Sequence, residues 1–334
     1  GLAVTLSDLV LSSPKLAAAG RAGWANGRFT LATTGKSLDW GPFALDGEGT
    51  VAAPHFTARL AKPGYGLTAV AARIDPAGDG WRVDGDAQSG LGPVTLKADI
   101  SLSPVLRIDV DRLAAADFVA SGRLDQSATG PFAGTLALAG KGLTGSAKLS
   151  AAGAVQLAEL AVAGDSLNLP LATPITVDRL RLAARVLLPA SGPDIDAALD
   201  LAGLERGNLA VEKATGTLQM KGGSGAASLT LAGNSGEAFN LAFTGDIAPD
   251  RWQIKGGGDY DGRAAKLAGP AVITRDAAGW HLAPVTLTSA LGNAEVAGDW
   301  GATKRLNARL DKVSLQMVGL AYPTLNLAGR ISGT

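Results

Sequence analysis

Apolar and polar residues alternate along this chain with a period of two. Val94-Thr-Leu96-Lys-Ala98-Asp-Ile100-Ser-Leu102 keeps the alternation for nine residues. Ile195-Asp-Ala197-Ala-Leu199-Asp-Leu201 repeats it, as do Gly216-Thr-Leu218-Gln-Met220-Lys, Phe239-Asn-Leu241-Ala-Phe243-Thr, Leu306-Asn-Ala308-Arg-Leu310-Asp and Leu325-Asn-Leu327-Ala. Period two sends successive side chains to opposite faces of a sheet, so each segment reads as a half-buried strand. A helix needs apolar residues three and four apart, and these segments lack that spacing.

Turn chemistry punctuates the strands. Asp75-Pro-Ala-Gly-Asp-Gly80, Gly222-Gly-Ser-Gly225, Asn234-Ser-Gly236, Asp261-Gly262 and Asp276-Ala-Ala-Gly279 supply the positive φ of tight hairpins. Glycine is abundant for this reason, at 45 of 334 residues. Spacing of roughly 8–12 residues between turns predicts about 25–30 strands in an antiparallel meander. A loose repeat, in which an Asp-containing turn leads through Trp into a strand, recurs at Asp79–Val83, Asp250–Ile254 and Asp276–Leu282. It points to quasi-repetitive architecture rather than a strict solenoid. Ala151–Val162 is read as strand, and Lys312–Ala321 as one short turn before Pro323. Pro and Gly are spread evenly, so the expectation is one continuous unit over 1–334. Gly1 in place of an initiator Met, and an end within a strand-like pattern, suggest a segment of a longer protein.

The chemistry of the chain is sparse. Lys plus Arg and Asp plus Glu each number 30, so the net charge is zero, which disfavours nucleic acid and polybasic membrane anchoring. Cysteine is absent, so no disulfide framework or thiolate metal site is available. No apolar run is long enough for a spanning helix. His55 and His281 lie far apart in separate strand-like segments, whereas a zinc site needs three or four clustered ligands. Gly256-Gly-Gly-Asp259-Tyr-Asp261-Gly262 has a faint calcium-nonapeptide look but stands alone and is read as a hairpin turn. Gly222–Gly225 lacks the Lys-Ser/Thr of a phosphate loop. The six Trp, at 24, 40, 81, 252, 280 and 300, lie near strand starts. They either cap a core or sit where an apolar surface meets water. No catalytic, metal or cofactor site emerges, and the chain is read as a non-enzyme.

An antiparallel sheet of this many strands cannot stay flat and open. It can divide into stacked sandwiches, wind as a β-helix, or roll across its strands into a trough. An open trough would expose apolar area far beyond what monomers tolerate unless it held an apolar ligand. At about 4.8 Å per strand such a sheet would run roughly 120–140 Å, a length suited to spanning a gap. The lining residues of such a groove would come from the clean alternating strands: Leu96, Ile100, Leu136, Leu138, Leu199, Leu201, Leu218, Leu229, Leu231, Phe239, Leu241 and Phe243. In a closed sandwich the same residues would fill the core.

The tail Leu315-Gln-Met-Val-Gly-Leu320-Ala-Tyr-Pro323-Thr-Leu325-Asn-Leu327-Ala-Gly329-Arg-Ile331-Ser-Gly333 resembles a recurring element of the TamB family. In that element a short apolar turn with Pro precedes a Leu-x-Leu-x-Gly-x-Ile/Val-x-Gly strand. The Ala/Leu/Gly-rich, turn-punctuated style of the whole chain is similar to TamB and its AsmA-like relatives. The resemblance implies a long, curved antiparallel meander rolled into a U-shaped, taco-like groove with an apolar interior. It implies a periplasmic location, with an inner-membrane anchor outside this segment. It implies conduction of phospholipid acyl chains between inner and outer membrane, support of outer-membrane protein assembly, and partnership with an Omp85-type, TamA-like barrel through other regions. The competing expectations are a secreted or surface β-helix passenger, which would have parallel rungs of regular length, and a structural array of β-sandwiches.

Overall fold

The computed structural model describes residues 3–38, 40–61, 67–89, 92–115, 117–169, 173–276, 278–290, 292–301, 304–315 and 329–334. Among them there are 25 β-strands and no α-helix. All described strand pairs are antiparallel, as the turn spacing predicts and unlike the parallel rungs of a β-helix. Cα packing divides the chain into two units, one of Gly1–Gly140 with Lys148–Ala154, the other of Lys141–Ala147 with Val155–Thr334.

The first unit contains β1 (Ala3–Ser12), β2 (Leu16–Ala25), β3 (Arg28–Ser37), β4 (Gly41–Gly49), β5 (Pro54–Leu60), β6 (Leu67–Ala77), β7 (Gly80–Ser89), β8 (Gly92–Ser101), β9 (Arg107–Ala115), β10 (Phe118–Gln126) and β11 (Phe132–Gly140). β12 (Leu143–Ala152) is shared between the units. The second unit contains β13 (Val155–Leu169), β14 (Ile175–Leu188), β15 (Asp194–Arg206), β16 (Leu209–Lys221), β17 (Ser224–Ser235), β18 (Glu237–Ala248), β19 (Arg251–Tyr260), β20 (Arg263–Leu267), β21 (Ala271–Arg275), β22 (Gly279–Ser289), β23 (Gly292–Gly301), β24 (Lys304–Ser314) and β25 (Arg330–Gly333). Ala151–Val162, expected to be strand, is strand except at Gly153-Ala154, which form the turn between β12 and β13. Most of Lys312–Ala321, and most of the tail that carries the family resemblance, lies outside the described residues.

Within each unit successive strands pair in order, so the ladders follow the hairpins. Asn26-Gly27, Gly222-Gly223 and Asp261-Gly262 place both turn residues at φ between 51° and 82°, the left-handed pair of a two-residue hairpin. One strand position is broken. β20 and β21 lie end to end, both pairing with β19 and both with β22. Between them Pro270 cannot donate to a ladder, which ends one piece and begins the next.

The registers sort the side chains into two faces. In the first unit the row Leu31, Gly47, Phe56, Ile74, Val83, Ala98, Val110, Gly122 and Leu136 crosses nine strands without a polar residue. The opposite face carries cross-strand ion pairs: Arg59–Asp46 at 2.8 Å, Arg82–Asp99 at 2.9 Å and Arg107–Asp125 at 2.7 Å. In the second unit Val162, Leu182, Leu199, Gly216, Leu229, Phe243 and Gly256 form one apolar row. The neighbouring row, Ala163, Arg181, Asp200, Thr215, Thr230 and Ala242, points to the other face. Thr215–Thr230 and Thr217–Ser228 hydroxyl pairs bridge strands there at 2.6 and 2.7 Å. Exposed pairs contribute little stability each. Their main effect is on register, because a one-residue slip would carry the charges onto the apolar face.

The second unit has a buried seam along one end of its strands. Leu167, Val177, Leu204, Val211, Gly233, Phe239 and Tyr260 form its row. Tyr260 is 1% exposed, Leu167 3% and Phe239 4%. Beside this row, Ser166, Asp178, Gly203 and Glu212 drop out of four adjacent strands at the same level. The skipped residue puts residues three apart on one face: Gly164 with Leu167, Val177 with Leu180, Leu201 with Leu204, and Val211 with Ala214. Register holds from β13 to β16 through this level and shifts only against β17, between Val211 and Lys213, so the skipped level ends in a bulge and marks a crease in these strands.

Candidate functional site

The candidate site is the apolar face. All twelve residues expected to line a groove lie on it. Leu96, Ile100, Leu136 and Leu138 are in the first unit, on β8 and β11. Leu199, Leu201, Leu218, Leu229, Leu231, Phe239, Leu241 and Phe243 are in the second, on β15 to β18. Phe239 is buried in the seam, and the other eleven are half-buried. Leu201, Leu231 and Leu241 pack on the buried cluster of Val211, Ala214, Phe239 and Tyr260.

On the second unit this face deepens into a cavity of about 280 Å³. Its wall is formed by Leu241 and Phe243 of β18, Gly256, Gly257 and Tyr260 of β19, Ala265 and Leu267 of β20, Val285 and Leu287 of β22, and Ala294 and Val296 of β23. None of these side chains is charged. Two of them, Leu241 and Phe243, were expected from their clean alternation. Leu267 was not legible, because β20 is only five residues long. Val285-Thr-Leu287-Thr does carry a period-two signal, though a bulge after Leu282 interrupts it. Tyr260 closes the seam side, and its hydroxyl donates to the Ser235 carbonyl oxygen at 2.9 Å. Burial holds its phenol above the ordinary value of 10.0, so it remains a donor. A shallower depression of about 480 Å³ opens on the polar face over Ala161, Ala183 and Ala198, with Arg181 and Asp200 at its border.

Aromatic residues mark the other end of the strands. Five of the six Trp, at 24, 81, 252, 280 and 300, lie in strands on the apolar face, and Trp40 is 56% exposed in a turn. Trp252 and Trp280 have ring centroids 4.9 Å apart. Trp280 and Trp300 are cross-strand partners, and the Arg275 guanidinium lies 5.5 Å from the Trp280 ring centre. In the first unit Phe29, Phe56 and Trp81 form a chain of tilted rings at 6.0 and 5.9 Å.

Both histidines sit on the polar face. His55 Nδ1 is 2.6 Å from Asp75. His281 lies between two carboxylates, with Nδ1 2.8 Å from Asp299 and Nε2 3.0 Å from Asp276. Only a doubly protonated ring donates to both, so Asp299 and then Asp276 raise its pKa above the ordinary 6.5. Asp276 also accepts the amides of Ala278 and Gly279, which fixes the turn. The segment with a calcium-loop look is the end of β19 and its hairpin, where Arg263 pairs with Asp261 at 2.6 Å. Among the described residues no group of three or more His, Cys, Asp or Glu is placed to hold a metal ion. No helix among them is long and apolar enough to cross a membrane.

In comparison with known proteins, the chain matches no protein-family model, no curated protein and no solved structure.

Proposed function

We propose that this chain is a non-enzymatic segment of a TamB/AsmA-like bridge, conducting phospholipid acyl chains across the periplasm along its apolar face. The observation that carries the reading is the state of that face in the second unit. It runs from β13 to β24 with no charged side chain in its interior rows, yet most of it is only half-buried. Apolar surface of that extent usually signals a partner. Each buried CH₂ is worth about 0.8 kcal/mol whether the surroundings are bilayer or protein, so an acyl chain can pass between them at little net cost. No residue need react. On this reading an inner-membrane anchor and the contact with an Omp85-type barrel belong to other parts of the protein.

The test is lipid extraction from the purified chain. Co-purifying phospholipid is the expected result, and a lipid-free preparation that also fails to take up added phospholipid would sink the proposal. Leu241→Lys sharpens it. On an open face the variant should keep its far-ultraviolet circular dichroism and lose bound lipid. In a closed core it should unfold, because an unpaired buried charge is costly.

A further inference from the structure

We propose that the row Arg275, Trp280, Trp300 and Lys304 binds the phosphate of an anionic phospholipid whose acyl chain lies in the cavity beyond it. This rests on the acyl-groove reading above and adds to it a ligand charge and an orientation.

The row is assembled by the ladders. Arg275 ends β21 and pairs with Trp280, Trp280 pairs with Trp300, and Trp300 pairs with Lys304 at the start of β24. Four strands thus present cation, indole, indole and cation side by side at one end of the apolar face. Neither Arg275 nor Lys304 has an ion-pair partner among the described residues. Asp299 is on the opposite face with His281, Asp276 is engaged by His281 and by two turn amides, and Asp250, whose carbonyl oxygen accepts the Arg275 amide at 2.8 Å, makes no ion pair with the guanidinium. The two cations are therefore free to act on a ligand. Arg offers a fork that fits two phosphate oxygens, and its position over Trp280 orients that fork. Trp300, 41% exposed, has the amphipathic character of residues found where apolar and aqueous phases meet.

The cavity lies further along the same strands. From Trp280, β22 passes Leu282 to reach Val285 and Leu287. From Trp300, β23 passes Gly298 to reach Val296 and Ala294. At about 3.3 Å per residue this track is about 20 Å, which suits one long acyl chain. Its far end is closed by buried Tyr260, so the charged head belongs at the tryptophan end.

Calorimetric titration of the full chain tests this with four soluble probes: short-chain phosphatidylglycerol, short-chain phosphatidylcholine, a neutral monoacylglycerol and inorganic phosphate. Phosphatidylglycerol should bind about tenfold more tightly than phosphatidylcholine, the scale of one charge-assisted contact. Raising salt from about 0.05 to 0.5 M should erase the difference. R275Q/K304Q should erase it too while leaving monoacylglycerol affinity unchanged, and R275K/K304R should retain most of it. Equal affinity for the two phospholipids, or a preference insensitive to both salt and the double variant, overturns the site but leaves the acyl groove standing. Inorganic phosphate binding as tightly as phosphatidylglycerol also overturns it, in favour of a free-anion site. Failure of every acyl-bearing probe overturns the groove itself.

Discussion

The ring of Phe243 lies over Gly256, its cross-strand partner, so closely that a Cβ at Gly256 would stand 2.2 Å from the ring's Cδ1. The arrangement recurs. Six of the seven phenylalanines have glycine directly opposite: Phe29 with Gly49, Phe43 with Gly35, Phe56 with Gly47, Phe118 with Gly140, Phe239 with Gly233 and Phe243 with Gly256. In all but the Phe29 pair the ring occupies the space a glycine side chain would need. Glycine weakens a strand on its own, and a ring laid across it restores apolar contact. It also lays the ring against the sheet, in the space an ordinary cross-strand side chain would fill.

Gly256→Ala should therefore destabilise the fold by about 1–3 kcal/mol through overpacking. The Ala242 carbonyl oxygen, 2.9 Å from the added methyl, leaves little room to yield. Phe243→Leu in the same chain should return part of the loss, a coupling that urea denaturation of the single and double variants would measure.

Gly203 holds the crease. Its φ of +63° suits glycine, and a Cβ there would meet the Asp178 carboxylate. Gly203→Ala should cost more than 1 kcal/mol, since strain and clash add. Asp178→Ala removes the carboxylate and leaves its own Cβ, 2.7 Å away, together with the strain, so the double variant should melt between the wild type and Gly203→Ala.

Tyr260 separates a hydrogen bond from a packing role. Tyr260→Phe removes the donor to Ser235 and should cost about 1 kcal/mol. Tyr260→Ala empties the seam beside Phe239 and should cost roughly 3–5 kcal/mol. Similar losses for the two variants would show that the hydroxyl, and not the ring, holds the seam.

His281 makes stability depend on pH. Its pKa is raised in the folded chain by Asp299 and Asp276, so the folded state holds its proton more tightly than the unfolded state does. The contribution is fully present below the ordinary value of 6.5 and is lost as pH rises through the raised folded value. Thermal melts should fall across that interval, and His281→Gln should flatten it. A decline that survives the substitution would assign the dependence elsewhere.

Strands, turns and faces were legible in the sequence because each depends on neighbours in the chain. Period-two alternation in Val94–Leu102 or Phe239–Thr244 specifies which side chains share a face, and Asn26-Gly27 or Asp261-Gly262 specifies where the strand reverses. The twelve candidate lining residues were found this way, since a residue's face follows from its parity. What parity cannot carry is the relation between strands. The crease arises because Ser166, Asp178, Gly203 and Glu212 fall side by side, although each by itself is one unremarkable residue in its own strand. The glycine under Phe243, the two carboxylates around His281, and the cation–indole row from Arg275 to Lys304 are likewise products of register. Sequence alone determined that this protein would have one predominantly apolar face. Strand register and packing decided how much of that face is buried beside Tyr260 and how much is left half-buried at Leu241.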